Sequence, residues 1–106
     1  MATGILGQAA LAAATNTTVY TVPATTFTVM SVSIVNRGST TASVRVALAG
    51  ASTPTSAEYI EYDAQIGPNG VLERTGLMMN AGKLLVCYAS NANLSVTAFG
   101  IETSTV

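Results

Sequence analysis

Short apolar segments recur along this chain, and each one ends at residues that favour turns. In residues 27–35, for example, Met30, Val32 and Ile34 alternate with serines, which is the period of a strand with one buried face. About seven such segments follow one another at roughly 8 to 12 residues, which predicts an all-β protein built as an antiparallel two-sheet β-sandwich, either Ig-like or jelly-roll-like. The predicted strands are residues 17–22, 27–35, 43–48, 58–63, 71–78, 84–88 and 94–101.

The connections and the N-terminus add to this prediction. Residues 36–40 have the composition of a turn, so we expect the strands on either side of them to form a hairpin. Residues 8–14 are rich in alanine, which favours helix, but they have no polar face at helical spacing. We therefore expect residues 1–16 to form an extended arm or a first strand that reaches a neighbouring subunit, and residues 17–106 to form a single β-sandwich domain. No basic residues precede the apolar N-terminal run, so no cleaved signal peptide is expected.

Charge is sparse in this chain, at 8% of residues where about a quarter is usual, and the net charge is -1. The four cations, Arg37, Arg45, Arg74 and Lys83, are scattered and form no basic stripe. We therefore expect neither nucleic acid nor a membrane surface as a partner. A surface of Ser, Thr, Ala and Asn resembles the charge-poor core of a protein interface, with a neutral secreted or extracellular β-domain as the alternative.

The residues that most enzymes need are missing. The chain has no histidine, which excludes Ser-His-Asp and Cys-His arrangements and zinc sites with imidazole ligands. Cys87 is the only cysteine and alternates with Leu85 on a predicted strand, so we expect a buried thiol that is not a nucleophile. Glycine-rich phosphate motifs are also absent. The sequence predicts no catalytic residue, no metal ligand and no cofactor.

One acidic stretch, YIEYDAQIGPNGVLERTG at residues 59–76, holds three of the five carboxylates. On a regular strand Tyr59, Glu61 and Asp63 share one face, with the two carboxylates roughly 6 to 7 Å apart. That separation is compatible with a glycosidase pair or, with nearby loop carbonyls, a calcium site. Any acidic pair two residues apart on a strand meets this condition, however, and the chain has no acidic calcium-loop motif.

Cross-strand ion pairing is the better interpretation of these acids. We expect Glu61, Asp63 and Glu73 to lie near Arg74 or Arg45, or near basic groups on a partner subunit. The charged residues predicted to contribute to an interface are Glu61, Asp63, Glu73, Arg74, Arg45 and Arg37.

Several segments resemble small virion structural proteins of tailed bacteriophages, of the marine and cyanobacterial type. The segments are VYTVP, VNRG with ASVRVA, EYIEYD, GVLERTG and AGKLLVCYAS, and the resemblance extends over roughly residues 4–102. It implies a β-sandwich located on the virion, and it brings no catalytic motif.

From the resemblance and the composition we expect a non-enzymatic virion protein, foremost a capsid decoration or cement protein that stabilises the head through contacts with the major capsid protein. Symmetric assembly as a trimer or dimer fits the uncharged surface. The alternative is a tail- or fibre-associated structural protein, or a receptor- or glycan-binding module that uses residues 49–55 and 90–93 as recognition loops.

Overall fold

The computed structural model describes residues 3–105, and nearly all of its regular structure is β-strand. This confirms the all-β prediction, with eight strands where about seven were expected. A single-turn 3-10 helix at Ser56–Glu58 precedes the fifth strand. The strands are β1 (Thr3–Ala10), β2 (Thr17–Thr21), β3 (Thr26–Asn36), β4 (Ala42–Ala49), β5 (Tyr59–Ile66), β6 (Val71–Met79), β7 (Leu84–Ala89) and β8 (Leu94–Ser104).

The strands form two four-stranded sheets, in the order β1-β8-β3-β6 in the first sheet and β2-β7-β4-β5 in the second. Pairing is antiparallel and nested, because β1 pairs with β8, β2 with β7, β3 with β6 and β4 with β5. The chain is thus one long hairpin with its tip between β4 and β5, rolled up into two layers. Of the two sandwich types predicted, this strand order is that of the jelly roll.

The predicted hairpin across residues 36–40 is wrong, because β3 and β4 lie in different sheets. The buried side chain of Asn36 directs the crossing. Its amide donates to the carbonyl oxygens of Thr40 at 2.8 Å and Ile66 at 3.0 Å, and its own oxygen accepts the Gly38 N–H at 2.9 Å. These bonds hold the chain in a connection that leaves the first sheet and enters the second.

Residues 3–10 form an edge strand of the first sheet, β1. Beyond its end, Leu11 is buried in the core and donates its N–H to the Leu94 carbonyl oxygen at 2.9 Å. A Cβ at Gly7 would lie 2.3 Å from the Val19 carbonyl oxygen, so β1 and β2 approach each other closely at this glycine. Residues 1, 2 and 106 of the two predicted ranges lie outside the described residues.

The core lies between the two sheets and is almost wholly aliphatic. Cys87 is completely buried in it, and desolvation raises the pKa of its thiol to about 12, in keeping with an inert side chain. The largest fully buried apolar side chains of the core are Leu11, Met30, Ile34, Leu85, Leu94, Val22, Val32, Val44, Val46 and Val96.

Candidate interaction surfaces

A β-bulge in β5 separates the two carboxylates that were predicted to share a face. The register passes from Val44 opposite Ala64 to Val46 opposite Glu61, so β5 has one more residue than β4 at this point. Asp63 lies in this bulge with a φ of 55°, in the left-handed region. Glu61 therefore contacts the first sheet while Asp63 remains on the outer face of the second, and the prediction of a shared face is wrong.

On the outer face of the second sheet, Arg45 is surrounded by one carboxylate and two aromatic rings. Its Nε donates to Asp63 Oδ1 at 2.7 Å, and this hydrogen bond raises the pKa of the guanidinium. The guanidinium carbon lies 4.3 Å from the Tyr62 ring centroid and 4.6 Å from that of Tyr88. Tyr59 meets the Tyr62 ring edge-on at 5.0 Å. In this row, which Tyr62, Arg45 and Tyr88 form with Asp63, Tyr62 and Asp63 are exposed and the other two are half-buried. It is the one aromatic cluster on this sheet within residues 3–105.

Arg74 and Glu61 form an ion pair across the sandwich rather than within a sheet. Arg74 lies on β6, the edge of the first sheet, and Glu61 on β5, the edge of the second. Arg74 also donates to the Ile60 carbonyl oxygen at 3.2 Å. This partly buried pair therefore joins the two sheets along one open side of the sandwich.

The remaining predicted interface residues lie elsewhere. Glu73 is exposed on the first sheet, opposite Ser33 of β3. Arg37 lies in the connection after β3 and donates to the Ala92 carbonyl oxygen at 3.0 Å. The structure thus brings Arg45 to Asp63 and Arg74 to Glu61, and it distributes the six residues over four separate places. They do not form one continuous surface.

The recognition loop predicted at residues 49–55 is held by a carboxylate. Glu58 accepts the backbone N–H groups of Thr55 and Gly50, each at 2.9 Å. These hydrogen bonds lower the pKa of Glu58, with the bond from Thr55 the larger cause. The loop is therefore fixed at both ends by one side chain.

A buried polar network links the sheets near the end of β8. The Tyr20 hydroxyl donates to the Glu102 carboxylate and lies 2.8 Å from Thr28 Oγ1. Because the tyrosine has a single hydroxyl hydrogen, Thr28 is the donor in the second bond. Burial, and then the carboxylate, raise the pKa of Tyr20 to about 12. These three side chains satisfy one another's hydrogen bonds inside the protein, so the network has a structural role.

Sequence reasoning missed the most distinctive surface, the outer face of the first sheet. Seven of the eight large exposed hydrophobic residues are on its strands, and the eighth is Tyr62. The outward residues in the middle of β3 are Ser31 and Ser33, so the alternation indicated a polar outer face. It did not indicate that Val29 and Val35, nearer the two ends of β3, also face outward. The seven residues are Ile5, Val29, Val35, Val71, Met78, Phe99 and Ile101.

Five of these residues form what we call the apolar patch: Ile5, Val29, Met78, Phe99 and Ile101. The strand register places Met78, Val29 and Ile101 in one row across β6, β3 and β8, and Ile5 beside Phe99 in the adjacent row. Exposed fractions run from 38% for Phe99 to 70% for Met78, which corresponds to apolar area on the order of 500 Å². Patches of this size on soluble proteins are often interaction sites.

The apolar patch lies in a region almost without charge. β1 and β3 have no charged residue, and the one on β8, Glu102, accepts a hydrogen bond from the inward Tyr20 hydroxyl. β6 has Glu73 and Arg74, of which Glu73 is exposed on this face, opposite Ser33 and five residues before Met78. A depression of about 390 Å³ next to the patch is lined by Phe27, Met78, Met79 and Asn80. Apolar burial, not ion pairing, is the interaction that this face offers.

Among residues 3–105 no three His, Cys, Asp or Glu side chains are grouped so that they could hold a metal ion. The same part of the chain contains no helix with the length and apolar character needed to cross a membrane. No protein-family model, curated protein or solved structure matches the chain.

Proposed function

We propose that this chain is a non-enzymatic structural protein of a tailed-phage virion, a capsid decoration protein that binds the major capsid protein through the apolar patch. The observation that carries the proposal is the concentration of exposed apolar side chains on one sheet face, where Glu73 is the one exposed charged residue on the described strands. Depletion of charge is the compositional mark of an interface core. The jelly roll adds modest support, since viral capsid and lectin domains use it, but the fold by itself does not determine function.

The size of the patch is suited to repeated, individually weak attachment. About 500 Å² of apolar area gives roughly 12 kcal/mol on burial, against about 4 to 15 kcal/mol lost on association. One copy alone is therefore held weakly. Copies that are linked to one another gain avidity when a particle offers them many equivalent sites.

The test uses capsids assembled from the major capsid protein alone and co-sedimented with this protein. We expect Met78→Lys to weaken binding by at least about tenfold, because it places a charge within a desolvated contact at the most exposed residue of the patch. Gln65→Lys is the matched control, since Gln65 is exposed on the second sheet. Equal binding of Met78→Lys and wild type, or wild type that remains in the supernatant, contradicts the proposal.

A receptor- or glycan-binding module of a tail or fibre is the second candidate. The row formed by Tyr62, Arg45 and Tyr88 with Asp63 favours it, because the exposed Tyr62 ring beside hydrogen-bonding groups provides both stacking and polar contacts for a sugar. Binding to defined glycans on an array that is lost in Tyr62→Ala supports this function. Array signals at background for the wild type count against it.

A further inference from the structure

The four sheet edges of this protein differ in how well they are protected from pairing with another strand. The β5 edge has a bulge and two carboxylates, and the β6 edge has an irregular register together with Glu73 and Arg74. β2 is only five residues long. β1 has eight residues, TGILGQAA, with neither charge nor proline, and its one register shift lies between Ile5 and Gly7. Charges, prolines, bulges and short length are the usual protections, so β1 is the least protected edge.

Hydrogen bonding along β1 shows which backbone groups face outward. The Leu11 N–H donates to the Leu94 carbonyl oxygen, so the backbone N–H and C=O of Leu11 point toward β8. Along an antiparallel strand the direction of these backbone groups alternates from residue to residue. Those of Ala9 therefore point toward β8, and those of Gln8 and Ala10 point toward the open edge. On that side β1 has no neighbouring strand within its sheet.

We infer that β1 pairs with the β1 strand of a second copy of this chain, antiparallel across a twofold axis, so that two first sheets become one continuous eight-stranded sheet. An isologous contact of this kind sets the same edge against itself. The edge is uncharged, so it meets its copy without like-charge repulsion, whereas a charged foreign strand would find no opposite charge on β1.

The position of the apolar patch supports the choice of a second copy. Ile5 lies on β1 itself, beside Phe99 of β8, and so the patch extends to the edge that would be shared. Pairing therefore places the two patches next to each other on the same side of one sheet. The inference concerns the protein in solution and does not rest on the proposed attachment to a capsid.

One strand pair buries less than the standard 1,600 Å² of a stable complex, so we expect a dimer that dissociates on dilution, with Kd at or above about 1 μM. Sedimentation velocity of the purified full chain over a concentration series measures this equilibrium. The mass is expected to rise from the 10.7 kDa of one copy toward twice that value.

The first variant, Gln8→Pro, removes an N–H that only the second copy would use, at an edge position where proline is tolerated. We expect at least a tenfold increase in Kd. Gln65→Pro on β5 is the matched control. The Ser43 carbonyl oxygen of β4 accepts a hydrogen bond from the Ser90 N–H, so the backbone groups of Ser43 point away from β5. Gln65 lies opposite Ser43, and its own backbone groups therefore point toward the open edge of β5. Gln65→Pro should leave the mass unchanged.

If circular dichroism shows that Gln8→Pro does not fold, two charge variants test the pairing of β1 instead. Gln8→Lys and Gln8→Glu should each remain monomeric alone because of like-charge repulsion, and an equimolar mixture should form dimers. A wild type that stays monomeric up to about 1 mM, a trimer mass, or variants at Gln8 that dimerise like the wild type would each overturn the inference.

Discussion

Removing the Tyr20 hydroxyl is expected to destabilise this protein substantially while leaving its surface intact. Tyr20→Phe keeps the buried ring in the core but takes a hydrogen-bond partner from both Glu102 and Thr28. Hydrogen bonds to a charged group contribute about 1.5 to 3 kcal/mol, mostly because the group left behind is desolvated. With about 4 to 8 °C per kcal/mol in a domain of this size, the expected fall in Tm is roughly 6 to 24 °C.

Thermal and urea unfolding at pH 7, followed by circular dichroism, measure this loss. Tyr62→Phe is the matched control because Tyr62 is 60% exposed on the second sheet, and the stability of this variant should stay within about 0.5 kcal/mol of the wild type. A Tm of Tyr20→Phe within about 2 °C of the wild type would refute the reasoning, since the network would then contribute nothing net.

The pH dependence gives an independent check on the same hydroxyl. The pKa of Tyr20 rises from 10.0 to about 12 in the folded protein, so folding favours the protonated phenol. Its contribution is fully present below pH 10 and is lost as the pH rises toward about 12. The stability difference between wild type and Tyr20→Phe should therefore shrink over this interval. Cys87 is present in both proteins, so its own alkaline titration cancels from the difference.

Two further predictions concern the two open sides of the sandwich. Arg74→Met should lower the free energy of unfolding by about 1 kcal/mol or less, since its pair with Glu61 is partly exposed, and a double-mutant cycle with Glu61→Gln in urea measures the coupling; a loss above about 3 kcal/mol would require a buried pair instead. Gly7→Ala should lower the free energy of unfolding by more than about 2 kcal/mol, because the added methyl group would lie 2.3 Å from the Val19 carbonyl oxygen. Gly67→Ala is the control, since its methyl group enters open space, and its Tm in thermal unfolding should be close to that of the wild type. Equal Tm values for the two variants would contradict the close approach of β1 and β2.

Local pattern was sufficient to predict the strands and the class of fold. Alternation in residues 27–35 identified which side chains of β3 are buried, and the same reasoning placed Cys87 in the core. Burial on one face is a property of each strand separately, and for this reason it can be found without knowing the neighbouring strands.

Pattern was not sufficient where the outcome depends on a distant strand. The alternation in β3 is satisfied by any neighbour, so it did not reveal that β4 lies in the other sheet. The bulge at Asp63 is defined by the register against β4, and an ideal strand geometry therefore misplaced Glu61. The apolar patch escaped notice because four strands far apart in sequence each contribute only one or two of its residues.

The nested strand pairing also determines the order in which this chain can fold. The cost of closing a loop increases with its length, and β4 and β5 are separated only by a short connection, whereas β1 and β8 lie at opposite ends of the described chain. We therefore expect pairing to begin at β4 and β5 and to proceed outward, on the millisecond-to-second timescale typical of such distant pairings. During synthesis β1 therefore has no partner in its sheet until β8 has been made.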